Sequence, residues 1–343
     1  SLSSPWIDPA TASLPNGNRL KDPYAILRNS LPIEQKELRE LQNKLEDTSE
    51  DLRGSRWSSI SKATSRSQFL VNNKKNEILD SIPDENKEKA IDLLSYLREE
   101  LDELKQIANE KNKVSFLEVR RQSLQTIDEI ESLLITNKFP YKIPSEYDNL
   151  PRLLGRANVE IKTSKGNMSA IIDGYNAPLT AGSFIDLSLK GFYDDLPINR
   201  AEEFFILQTG DPKGEEIGYV DPDNNELRKV PLEIRTPNLE DTLYGETFEE
   251  VGLYTETPVL PFATLGTLGW AHSDSDLNDG SSQFFFFLYE AELNPAGRNL
   301  IGGRNAAFGY VIEGSEILNK LGVDDKIIEI KVLNGSENLK LKA

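Results

Sequence analysis

Val159-Glu160-Ile161-Lys162, followed closely by Met168-Ser169-Ala170-Ile171-Ile172, carries apolar residues in a period of two. That period puts alternate side chains on opposite faces of a strand. Phe204-Phe205-Ile206-Leu207, residues 283–289 and Lys326-Ile327-Ile328-Glu329-Ile330-Lys331-Val332 read the same way, rich in aromatic and β-branched side chains. Between them, residues 180–189 and 315–321 can each form a short helix. Many strands with two short helices predict a closed barrel with helices at its ends.

Upstream the punctuation changes. Residues 33–137 contain one glycine, Gly54, and one proline, Pro83. Such a stretch suits helices, because glycine and proline interrupt them. Leu38, Leu41, Leu45, Thr48 and Leu52 step by three and four, an apolar seam on a helix over 33–53. Gly54-Ser55 stops it, with Ser55 placed to cap the next. A second helix over 56–80 carries Trp57, Ile60, Leu70, Val71 and Ile78; a third over 84–111 carries Leu94, Leu97, Leu101 and Leu104; a fourth over 113–137 carries Leu117, Leu124, Ile127 and Ile130. Four helices with short connections predict an up-down-up-down bundle. The chain is therefore multidomain. It comprises a proline-dotted, extended arm over 1–32, an all-α four-helix bundle over 33–137, a proline-stiffened linker over 138–155 and a β domain over 156–343. Trp6, Ile7 and Tyr24 give the arm side chains with which to dock on a neighbouring surface.

Composition excludes several functions. The 343 residues carry a net charge of −18, which opposes binding to nucleic acid or anionic lipid. No stretch reaches the roughly 18 apolar residues of a membrane span. With no Cys and a single His, His272, there are no disulfides or thiolates, and neither a multi-His metal site nor a His-based triad is expected. Two acidic loops, Asp274/Asp276/Asn278 and Asp221/Asp223/Asn225, imitate a calcium loop but lack its glycine and terminal glutamate at the required positions. No metal and no cofactor are expected. Ser1-Leu2-Ser3-Ser4-Pro5 lacks a basic and an apolar targeting segment and reads as a mature start.

Three segments, in order, resemble the cyclophilins. They are Pro178-Leu179-Thr180-Ala181-Gly182-Ser183-Phe184; Asn199-Arg200 with Phe205-Ile206-Leu207-Gln208-Thr209-Gly210-Asp211; and Gly280-Ser281-Ser282-Gln283-Phe284-Phe285 with Ala306-Ala307-Phe308-Gly309-Tyr310-Val311. The whole chain is similar to the large thylakoid-lumen cyclophilins of chloroplasts and cyanobacteria, which place a PsbQ-like bundle before the barrel. Lys21-Asp22-Pro23, Leu31-Pro32-Ile33, Phe139-Pro140-Tyr141 and Asp173-Gly174-Tyr175-Asn176-Ala177-Pro178 support that likeness. The resemblance implies a peptidyl-prolyl cis-trans isomerase in a cyclophilin-like closed antiparallel barrel. Its clients would be proline-containing polypeptides, photosystem or other thylakoid proteins among them. Its place would be the lumen, soluble or peripherally membrane-associated.

By the same resemblance Arg200 is the catalytic guanidinium. Phe205, Ile206 and Phe285 floor a proline slot, Gln208 and Gln283 hold the substrate backbone, and Ala271 and His272 offer main-chain contacts. Leu300, Ile301 and Asn305 complete the rim. The sequence departs from the family at Ile206 (Met), His272 (Asn), Leu300 (Trp) and Asn305 (His), and a segment of about 50 residues, 211–261, replaces a shorter one. Those departures imply activity below that of single-domain members. They leave open a non-catalytic assembly chaperone that uses groove and bundle, and, more weakly, a structural photosystem subunit. The insert and the arm are each long enough to reach the groove.

Overall fold

The computed structural model describes residues 22–136, 138–289 and 301–343. They divide into two compact units. One spans 31–138; the other joins 139–343 to the end of the arm.

The first unit is the bundle. Its helices are α2 (Lys36–Arg53), α3 (Trp57–Asn73), α4 (Lys75–Asp80), α5 (Lys87–Glu110) and α6 (Lys113–Ser132). Gln35 caps α2, its side chain accepting from Leu38 N at 2.7 Å, and Asn112 caps α6 by accepting from Ser115 N at 3.1 Å. Ser55 does not cap α3. It takes φ 52°, and the cap position falls to Arg56 with no side-chain bond. The helix expected over 56–80 breaks at Lys74 into α3 and α4, and the one expected from 84 opens as a 3₁₀ turn before α5. Neighbours α2–α3, α3–α5, α5–α6 and α6–α2 pack in a ring. The seam residues Leu38, Leu41, Leu45, Leu97, Leu101 and Leu104 are fully buried inside it. Thr48, also fully buried on that seam, donates to Leu45 O and accepts from Arg120 Nη1 at 2.9 Å. Its hydroxyl is thus satisfied rather than stranded.

The second unit is a closed antiparallel barrel of eight strands: β1 (Arg156–Thr163), β2 (Gly166–Asp173), β3 (Leu196–Glu202), β4 (Ile206–Thr209), β5 (Thr267–Trp270), β6 (Phe284–Phe287), β7 (Ala307–Glu313) and β8 (Lys326–Asn334). They pair in the order β5-β6-β4-β3-β8-β1-β2-β7, with β7 closing on β5. The four consecutive phenylalanines of β6 divide by the period of two. Phe284 and Phe286 enter the barrel core, while Phe285 and Phe287 join an apolar layer on the other face. Helix α7 (Pro178–Leu189) plugs the core, where Phe184 meets Phe284 edge-on with ring centroids 5.1 Å apart. Residues 315–321, expected as a helix, form the 3₁₀ segment Ser315–Lys320.

Two expectations need revising. The described end of the arm is not extended: α1 (Pro23–Asn29) is a helix, started by the Asp22 carboxylate accepting from Tyr24 N and by Pro23 at its first position. It belongs to the barrel unit. Arg156 Nη2 donates to Leu27 O at 2.7 Å and to Ser30 Oγ at 3.0 Å, and Asn176 Nδ2 donates to Ser30 O at 3.1 Å. Ala25, Ile26, Leu27 and Arg28 are buried, whereas Tyr24 is 41% exposed; Trp6 and Ile7 lie outside the described residues. Nor is 138–155 a free linker. Phe139 stacks on Tyr175, Arg235 lies 3.5 Å from the Tyr141 ring centroid, and Arg152–Leu153 pairs with Leu339–Lys340. Its aromatic side chains pack, half-buried, against the barrel unit, and its prolines restrict the backbone path along which they do so.

The insert is tied down by a buried carboxylate. Glu233 accepts from Leu179 N (3.2 Å), Thr180 N (3.0 Å), Thr180 Oγ1 (2.9 Å) and Tyr244 OH (2.8 Å), at the N-terminus of α7. Burial pushes its carboxyl up to about 7 against the pull of those four donors.

Candidate active site

The outer apolar layer and the strand register assemble the site. Arg200 on β3 stands opposite Gln208 on β4, Gln208 opposite Phe285 on β6, Phe285 opposite Gly269 on β5, and Gly269 opposite Ala307 on β7. Directly opposed residues of antiparallel strands share a face. One row therefore carries the guanidinium, an amide and an aromatic ring, although 107 positions separate Arg200 from Ala307 in sequence. The next row on that face holds Glu202, Ile206, Phe287, Thr267 and Tyr310.

Phe285 and Ile206 are each 3% exposed, Phe205 and Gln208 are half-buried, and Arg200 is exposed. The arrangement is a packed apolar floor with a charged group at its rim. Phe205, Ala271 and Ile301 pack against the cluster that holds Phe285 and Ile206. His272 and Asn305 stand at the far side. The two His272 ring nitrogens lie 2.8 Å from Ser273 O and Arg304 O, and Asn305 Nδ2 donates to Trp270 O at 3.1 Å. These contacts tie the loop after β5 to the segment before β7. The structure thus brings together Arg200, Phe205, Ile206, Gln208, Ala271, His272, Gln283, Phe285, Ile301 and Asn305 around one face. Leu300 lies outside the described residues.

Gln283 departs from the expected role. Its Oε1 accepts from Gln208 Nε2 (2.8 Å) and Asn199 Nδ2 (3.2 Å), and its Nε2 donates to Ile217 O (3.0 Å). Ile217 belongs to the insert, so the insert's main chain takes one of the two N–H donors of the Gln283 amide. Ala271 N is likewise bonded, to Gln283 O at 3.0 Å.

Other residues of the layer escaped the sequence reading. Phe262 stacks on Phe285 with centroids 5.7 Å apart, and Pro261 is pinned by Tyr310 OH at 2.7 Å. Leu260, Ile26 and Leu27 complete the cluster. The insert's last residues and the arm's helix thus contribute to the layer beneath the slot, as isolated apolar residues in irregular sequence that periodicity cannot flag. Phe204, at φ 61° and 53% exposed, occupies a turn closed by Phe205 N to Glu202 O at 3.0 Å. That is a left-handed position for a bulky side chain. Among the described residues, no cluster of three or more acidic or histidine side chains could hold a metal ion, and no helix is long and apolar enough to cross a membrane.

The fold and the site agree with known proteins. Residues 22–135 match the family model described as the PsbQ-like domain of CYP38-like peptidyl-prolyl cis-trans isomerases, and residues 158–332 match that of cyclophilin-type peptidyl-prolyl cis-trans isomerases. The chain is 42% identical to a thylakoid lumen peptidyl-prolyl cis-trans isomerase of Synechocystis, over 95% of this chain and 86% of that protein. It is 35% identical to the chloroplastic peptidyl-prolyl cis-trans isomerase CYP38 of Arabidopsis thaliana, over 96% and 78%. Identity to the chloroplastic CYP37 of the same plant is 30%, over 99% and 76%.

Proposed function

This chain belongs to the cyclophilin-type peptidyl-prolyl cis-trans isomerases that carry a PsbQ-like domain, and we propose that it twists X-Pro bonds at the row formed by Arg200, Gln208 and Phe285. The single observation that carries this reading is that cross-strand row, which sets one guanidinium beside an apolar floor. X-Pro isomerisation is slow because the amide must lose conjugation, against a barrier of about 18–20 kcal/mol. No proton transfer and no covalent intermediate is required. Phe205, Ile206 and Phe285 hold the proline ring. As the amide twists, its nitrogen gains a lone pair, and an Arg200 N–H donates to it. That bond exists in the twisted state and not in the planar one, so it lowers the barrier rather than merely binding substrate.

Activity below that of single-domain cyclophilins follows from the wiring of this site. The Gln283 amide already accepts from Gln208 and spends one of its two N–H donors on Ile217 O of the insert, which leaves less of it for a substrate backbone. The clients are proline-containing polypeptides of photosynthetic membrane complexes. The chain works in the thylakoid lumen, the location named for its Synechocystis relative. The partly occupied Gln283 also favours a second reading, in which the groove binds clients without turning them over. A proline-peptide isomerisation assay on the full chain decides. Catalysis above the uncatalysed rate that is lost in Arg200→Ala supports the enzyme; suppression of client aggregation at the uncatalysed isomerisation rate supports the binder.

A further inference from the structure

Arg200 has one anchor among the described residues. Its Nε and Nη2 both donate to Oε1 of Glu202, at 3.1 and 2.7 Å. Gln208, directly across the strand pair, donates its Nε2 to Gln283 Oε1 at 2.8 Å. Asn199, the preceding residue, also bonds Gln283, and Gln283 donates to Ile217 O of the insert. Among the described residues, Asn199, Gln208 and Gln283 thus bond one another and the insert, and none of the three holds the guanidinium. Arg200 is half-exposed, so packing does not fix it either.

Glu202 is placed for the task. Two residues along β3 from Arg200, it shares the same face of the strand. A guanidinium has five N–H donors. Two are spent on Glu202, and three remain, including both on Nη1. The single-oxygen contact along the Nε–Nη2 edge sets the plane of the group and leaves the Nη1 corner free.

We propose that Glu202 is the positioning residue for Arg200, fixing the guanidinium at the groove rim with its Nη1 corner free for the twisting amide. The inference rests on the role given to Arg200 above. Glu202 touches no substrate; it acts through the arginine. A half-exposed ion pair couples weakly, so the effect is a few-fold rather than orders of magnitude.

The test uses the full chain and four variants: Glu202→Ala, Glu202→Gln, Arg200→Ala and the double Arg200→Ala/Glu202→Ala. With a proline tetrapeptide, Glu202→Ala lowers kcat about three- to fivefold at nearly constant KM. Glu202→Gln recovers most of it, because its side-chain oxygen still accepts from Nε–H and Nη2–H. In the Arg200→Ala background, Glu202→Ala has no further effect, as expected of residues acting as one unit. A rise in kcat for Glu202→Ala would mean that the carboxylate sequesters the arginine, and would overturn the proposal. So would an equal loss with and without Arg200. A second arm needs no turnover: the Arg200 Nε–H resonance is resolved and protected from exchange in the wild type and in Glu202→Gln, and merges with the mobile arginines in Glu202→Ala. If the wild type already shows the mobile signal, the pairing fails. An inactive wild type sinks the catalytic reading of the previous section, and the resonance then decides the pairing by itself.

Discussion

Gly269→Ala tests whether Phe285 floors the slot, from beneath it. Gly269 stands opposite Phe285 in the barrel register. A Cβ built there would lie 2.3 Å from Phe285 Cζ, 2.5 Å from its Cε2 and 2.8 Å from Phe262 Cε1. Ordinary carbon contacts are about 3.5 Å or more, so the Phe285 ring must retreat by roughly 1 Å. A ring edge can usually swing aside, but this one is stacked on Phe262 at 5.7 Å and is 3% exposed. The retreat therefore moves the aromatic layer as a unit. Overpacking of this kind costs about 1–3 kcal/mol in stability. The larger consequence is for chemistry, since a 1 Å misplacement of a positioning group can cost about 10²-fold in rate. The expected outcome is a protein that still melts cooperatively, at a lower temperature, with kcat/KM for a proline tetrapeptide reduced by about 10- to 100-fold. Near-ultraviolet dichroism reports the aromatic layer in the same samples. A folded Gly269→Ala protein with altered aromatic signals and unchanged kcat/KM would refute the assignment of Phe285 to the slot.

Further outcomes follow from the same geometry. Arg200→Ala lowers kcat/KM by about 10²–10³-fold, the usual loss for one electrostatic donor, with little change in peptide affinity by calorimetry; wild-type turnover in the variant removes Arg200 from the mechanism. At position 204, φ is 61°, so Phe204→Gly is more stable than Phe204→Ala by about 1 kcal/mol in denaturant titration, and the reverse order would contradict the left-handed turn. Glu233 titrates near 7 when folded against 4.5 unfolded, so its contribution is complete below pH 4.5 and is lost as pH rises through 7, up to about 3 kcal/mol. Between pH 5 and pH 8 the wild-type barrel therefore loses more stability than Glu233→Gln; parallel pH profiles would place the proton elsewhere. Residues 31–138 hold their own apolar core and, expressed alone, melt cooperatively. A fragment without a melting transition would show that the bundle borrows its stability.

Most of the architecture is legible in the sequence alone. Leu38, Leu41 and Leu45 announce a buried helical face because spacings of three and four residues lie on one side of a helix whatever it packs against. Phe284 to Phe287 announce a strand buried on both faces in the same local way. The residues assigned to the slot come from resemblance, since Arg200, Gln208 and Phe285 stand in recognisable motifs; composition and period would have stopped at a bundle followed by a β domain. Pairing across distance was not legible. Whether Gln208 turns to Arg200 or to Gln283, 75 positions away, depends on how the closed barrel sets β4 against β6. Residues 23–29 look like part of an irregular arm until Arg156 and Asn176 are in place to bond their far end, and Gly269 looks ordinary until Phe285 and Phe262 lie against it. Local preferences are set by neighbours in the chain, so the sequence carries them openly. A hydrogen-bond partner is chosen among all groups that the fold brings within about 3 Å, and that choice exists only once the barrel has closed.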